Sequence, residues 1–166
     1  MSLLIGIPGH VTPTLTITVV IVGMLVLAVL DVWRHEVEDV ATLALLVVAV
    51  AGLGIQGIQP AQWATAVASA AIAFVVYLYL GTRGVMGGGD VKLSVVPALV
   101  LGASNPFLGV WWIGCAILLH QLLIFVIART IPRPAGAVRA VPMALPHVPA
   151  MTAAVLIATA VFPAIP

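Results

Sequence analysis

The chain has 166 residues, 63% of them hydrophobic and only 7% charged, with a formal net charge of +1; its mean hydropathy is +1.29. A soluble domain carries about 25% charged residues, so this chain has too little charge to cover a water-facing surface and reads as an integral membrane protein. Its length fits one bundle, a single transmembrane domain over residues 1–166, and its lone cysteine, Cys115, excludes a disulfide framework or a cysteine-rich zinc site.

A membrane-spanning helix needs about 20 mostly apolar residues. The N-terminus "MSLLIGIPGH" lacks the basic stretch of a secretory signal, so the first apolar segment is expected to remain in the mature protein. That segment runs from Thr14 to Leu30 behind Pro13, a residue suited to the first helical turn. The polar run "DVWRHEVED" follows it. A second segment covers Val40 to about Ile58, and after "GIQPAQ" a third covers Trp63 to Leu80. The stretch "GVMGGGDVKL" then leads into a short fourth segment, Val91 to Leu101, which contains Pro97 and is too short to cross unless it begins inside the bilayer. Beyond "GASNP" a fifth spans Phe107 to Ala128, with Trp111 and Trp112 read as an interfacial pair near its outer end. The sixth runs from about Val148 to Phe162. The expected fold is an all-α membrane bundle of about six helices with a broken or short fourth.

Charge is one-sided along this pattern. Arg34, Arg83, Lys92, Arg129, Arg133 and Arg139 all fall in alternate connections, as do the five acids, while "GIQPAQ", "GASNP" and the N-terminal tail contain no Lys or Arg. Basic residues in short loops mark the cytoplasmic face. Both termini are therefore expected outside a cytoplasmic membrane, with any chemistry facing the cytoplasm.

Two acids stand apart. Asp31 ends the first apolar run, and Asp90 opens the short fourth one behind Gly87, Gly88 and Gly89. An aspartate at membrane depth costs about 2.5–3.5 kcal/mol on insertion scales, so such acids usually mark function. Asp31 also suits a cap in the headgroup zone, and the glycine run a loop between spans. Glycine permits torsions closed to other residues and close approach of another backbone, and irregular backbone at this depth needs protein or water to satisfy it. Neither GxxxxGK[ST] nor GxGxxG is present, so a phosphate cradle is a poor fit. Two acids sharing a wet cavity suit an aspartic-protease pair, in which only one ionises and activates water.

The run "GGGDVK" reads as G-x-G-D-x-K, and with it the chain resembles the type IV prepilin peptidases, membrane aspartic proteases of the GxGD type. Asp31 stands where that family carries its first catalytic aspartate, and "AVPMALPHVPA" is similar to its Val-Pro-rich lead-in to the last helix. In "DVWRHEVED", Arg34, Val37 and Asp39 match the family's pattern loosely, whereas Glu38 replaces an expected proline. The resemblance implies a peptidase-only form without the cysteine-rich methyltransferase domain. Asp31 and Asp90 would be catalytic, cutting the short basic leader from prepilin-like or archaellin-like precursors. The bilayer and that protein substrate are the implied partners; no cofactor, metal or nucleic acid is implied.

Other residues carry open readings. Gly87, Gly89 and Lys92 are candidates for shaping the site, Lys92 by acting on Asp90 or a substrate carbonyl, or else by reaching to headgroups. Arg34, Glu36 and Asp39 are candidates for leader binding, with a solvated loop face as the alternative reading for the acids. His120 is read as a helix-packing residue, and His35 and His147 form no metal-ligand set with Cys115. A small transporter or proton relay using the same acids, and a non-catalytic pilus or secretion assembly factor, remain the alternatives.

Overall fold

In lipid, a backbone with no water to bond must satisfy itself, and the helix does so within one segment. The computed structural model describes residues 13–35, 38–130 and 145–161, and every element among them is helical. In chain order they are α1 (Thr14–Arg34), α2 (Asp39–Ile55), α3 (Pro60–Thr82), α4 (Gly88–Leu93), α5 (Val95–Ser104), α6 (Pro106–Thr130) and α7 (Val148–Val161). Helices α4 and α5 are one helix interrupted at Ser94, which itself keeps helical torsions. Pro97 explains the break, since it has no N–H to return to the Leu93 carbonyl. The described residues thus form an all-α bundle of six segments with a broken fourth. By length and composition α1, α3 and α6 can cross a membrane, while α2 and α7 are shorter apolar helices.

Helix ends are set by local chemistry. At the start of α3, Pro60 occupies the first turn and the Gln62 side chain accepts from the Gln59 N–H at 3.0 Å. Gln62 then donates to the Ala103 carbonyl at 3.0 Å, satisfying the end of α5. Asn105 caps α6 by accepting from the Phe107 N–H at 2.8 Å. The turn after α2 passes through Gly57 at φ 64°, and Gln56 reaches back to Thr16 on α1 at 2.8 Å.

These bonds fix the directions of the helices. Thr16 with Gln56, and Gln62 with Ala103, pair helix ends at one pole of the bundle, where the described residues carry no charge. The starts of α2, α4 and α7 and the ends of α1 and α3 gather at the opposite, charged pole. Helix α5 lies at the centre against α1, α2, α3 and α6, and every residue from Val96 to Ala103 is buried. An all-round apolar helix belongs in that position. The outer helices instead expose large apolar side chains, Leu15, Val22 and Val26 on α1 and Leu118 and Phe125 on α6 among them, as a lipid-facing surface requires.

Several expected boundaries shift. Helix α1 continues past Leu30 to Arg34, because nothing in "DVWR" breaks it; it stops at His35, whose φ of 55° is left-handed. Asp31 therefore lies within the helix rather than after it. The fourth segment is longer at both ends than Val91–Leu101, gaining a turn from "GGD" and running on to Ser104. Trp112 is no interfacial residue: it is fully buried and stacks on Tyr77 of α3, with ring centroids 6.1 Å apart. It lies nearly two turns into α6, on the face packed against α3. The connection holding Arg133 and Arg139, with most of "AVPMALP", lies outside the described residues, as does Glu36.

The tightest crossing joins α3, α5 and α6 at small residues, the arrangement that lets apolar helices pack closely without a hydrophobic drive. A Cβ on Gly109 would lie 2.3 Å from Ser69 Oγ and 2.7 Å from the Gly102 Cα, whereas a Cβ on Gly114 would meet nothing within 4 Å. Gly109→Ala is expected to destabilise the protein by about 1–3 kcal/mol through overpacking. Gly114→Ala is expected to be neutral or slightly stabilising. Thermal unfolding of the two variants in detergent checks the contrast.

Candidate active site

The charged pole holds two carboxylates that the fold has taken out of solvent: Asp31 is 5% and Asp90 8% exposed. Asp31 sits one turn before the end of α1, on the face turned towards α7. Its Oδ2 accepts the Val148 N–H at 3.1 Å, the first amide of α7. A helix start has unpaired N–H groups and a partial positive charge, so a carboxylate is its natural partner. Thr152, one turn into α7, donates to the Val148 carbonyl at 2.9 Å and to the Met24 carbonyl of α1 at 3.3 Å, tying the two helices together.

Asp90 is held in the same manner by its own helix. Gly87 precedes α4, Gly88 and Gly89 form its first two positions, and Asp90 is the third. From there its Oδ2 accepts the Gly87 N–H at 3.0 Å, the reach-back of a capping box. The two acids, far apart in sequence, thus stand at the starts of two helices at the same pole of the bundle.

Of the two roles expected of the glycines, torsional freedom and room for close approach, the first is not used at Gly87. Among the described residues only Gly57 and Gly84 are glycines with positive φ; Gly87, at φ −76°, is ordinary extended backbone. What "GGG" supplies is space. A Cβ on Gly88 would meet nothing within 4 Å, and one on Gly87 would touch Asp90 Oδ2 at 3.4 Å. The left-handed turn belongs to Gly84, three residues earlier.

The candidate polar neighbours separate from the acids. Lys92 does not serve Asp90: its Nζ bonds Asp39 Oδ2 at 2.6 Å, joining α4 to the start of α2. Arg34 pairs with Glu38 across the α1–α2 turn. Both pairs are exposed. Glu38, the residue in the place of the family's proline, has φ −67° and ψ 130°. Proline would impose that same φ, so the backbone shape survives the substitution.

Sequence reasoning missed Tyr77 and set His147 aside. Both are buried, and Tyr77 Oη lies 3.1 Å from His147 Nε2. His120 lies edge-on to His147 with centroids 4.5 Å apart, which accords with a packing role. The only signal in the sequence was that polar rings stood in otherwise apolar runs, "VYLYL", "LLHQLL" and "LPHVP".

Comparison with known proteins adds the family. Neither curated proteins nor solved structures gave a match. The model of the type IV leader peptidase family matches residues 18–163, a span that includes both buried acids and the glycine break. The chain belongs to the type IV leader peptidase family.

Proposed function

We propose that the protein is a membrane-embedded aspartic endopeptidase that removes the short basic leader from prepilin-like precursors at the cytoplasmic face of the membrane. One observation carries this reading. Asp31 and Asp90, on separate helices at one pole of the bundle, are each buried and each bonded by a backbone N–H at the start of a helix. Two residues before Asp90, Gly88 faces open space.

The chemistry follows from the shared charge. Two close carboxylates ionise singly, and the proton belongs to the pair. The ionised acid takes a proton from water as the water oxygen bonds to the scissile carbonyl carbon. The protonated acid gives its proton to the carbonyl oxygen, producing a neutral gem-diol. That intermediate collapses as one hydroxyl returns its proton to the acid that supplied it. The C–N bond then breaks, and the leaving nitrogen takes the proton that the other acid received from water. Gly88, without a side chain, leaves room for an extended substrate backbone beside Asp90.

Positive-inside logic, applied to Arg34, Arg83, Lys92 and Arg129 at the ends of their helices, puts this pole in the cytoplasm. Beside it, Asp39 and Glu38 form an exposed acidic rim already paired with Lys92 and Arg34. The cations of a basic leader would exchange with those partners at little cost, since exposed ion pairs contribute only about 0–1 kcal/mol.

Asp31→Asn and Asp90→Asn are each expected to lower cleavage of a co-expressed, tagged prepilin-like precursor by at least about 100-fold. Immunoblotting for the retained leader measures this, and either variant cleaving at the wild-type rate would overturn the reading. Lys92→Met is expected to keep kcat, because its ammonium serves Asp39 and not Asp90. Asp39→Asn is expected to raise KM for a precursor with a basic leader while sparing kcat; steady-state kinetics on both variants checks the split.

A further inference from the structure

Three polar aromatic side chains are buried beside the two acids: Tyr77 on α3, His120 on α6 and His147 just before α7. In an apolar bundle each costs free energy unless it is bonded. Tyr77 is located on both sides, its ring stacked on Trp112 and its Oη 3.1 Å from His147 Nε2. His147 is held in turn by the edge-on ring of His120. His147 immediately precedes Val148, whose N–H bonds Asp31.

Stability alone does not account for this cluster. Replacing both members of a buried hydrogen-bonded pair by apolar groups of the same shape can be nearly neutral. The Nδ1 atoms of His120 and His147 moreover have no hydrogen-bond partner among the described residues. What the cluster does achieve is positional. It pins the residue that sets the direction of the first α7 amide, from a helix, α3, that otherwise has no hold on Asp31.

We infer that Tyr77 and His147, supported by His120, are positioning residues that aim the α7 N-terminus at Asp31 and so hold its carboxyl in register with Asp90. The inference rests on the aspartic reading above. It concerns side chains that need not touch the substrate, and it predicts a loss in turnover without a loss in binding.

The test uses the full chain and a tagged precursor with a basic leader ahead of an apolar helix, with kcat, KM and thermal unfolding measured together. Tyr77→Phe, which removes one oxygen, is expected to lower kcat by about 10- to 100-fold, the scale of a small misplacement at a reacting centre. KM is expected to stay at the wild-type value, with activity measured well below an unfolding midpoint that falls by a few degrees because His147 Nε2 loses its partner. His147→Gln, whose amide can stand in for Nε2, is expected to retain clearly more turnover than His147→Leu. Wild-type kcat in Tyr77→Phe overturns the inference, as does a fall in kcat that merely tracks a fall in the unfolding midpoint. If Tyr77→Phe does not accumulate in membranes, the two His147 variants decide, and equal kcat in them overturns it. Asp31→Asn separates the two levels: activity retained there removes the aspartic reading itself, whereas activity lost there with Tyr77→Phe intact removes only the positioning role.

Discussion

Two helices of this bundle begin with a carboxylate in place of water. The first amides of a helix have no partner in their own helix, and in a low-dielectric setting an unbonded N–H is costly. An unpaired carboxylate in the same setting is costlier still. Asp31 and the start of α7 resolve the difficulty for each other, as do Asp90 and the start of α4. Much else follows. Helix α7 must begin beside the last turn of α1, and α4 must begin at Gly87, so the two acids converge at one pole.

The surrounding bundle makes that convergence firm. Helix α5, buried on all sides, extends α4 into the centre and anchors Asp90 from below. Small residues where α3, α5 and α6 cross allow α3 close enough to bring Tyr77 against His147. Outside this core, Lys92 and Asp39 bind α4 to α2 through an exposed ion pair. The pole is thus graded: buried acids bonded by backbone within, and exchangeable charge at the rim. Such a gradient suits a peptidase of the type IV leader family, whose proposed substrate would bring cations to the rim and an extended backbone to the interior.

Much of this was legible in the sequence, for physical reasons that differ from residue to residue. Composition decided the solvent, and long apolar runs decided the helices, since lipid leaves the backbone no alternative. Asp90 was conspicuous because a charge behind three glycines opposes both local preference and environment. Asp31 was less so; its place within α1 depends on the absence of a breaker after Leu30, a weak local signal. Of the two roles open to the glycines, the structure shows space and not left-handed torsion, since freedom of torsion is a property of the residue whereas the open space at Gly88 is a property of its neighbours. The partner of Lys92 was hidden for a similar reason: nearness to Asp90 in sequence said nothing of Asp39, which comes from α2. The Tyr77–His147 bond was beyond reach, since it joins residues 70 positions apart and Tyr77 lies in no motif.

The central claim is that Asp31 and Asp90 form one titrating unit. Following the carboxyl carbon of Asp90 by carbon-13 NMR across pH, in wild type and in Asp31→Asn, tests it most directly. A coupled pair loses its protons in two macroscopic steps that belong to both groups. The account predicts a two-step curve for Asp90 in the wild type that becomes a single step when Asp31 is neutralised. Superimposable curves in the two proteins would contradict it.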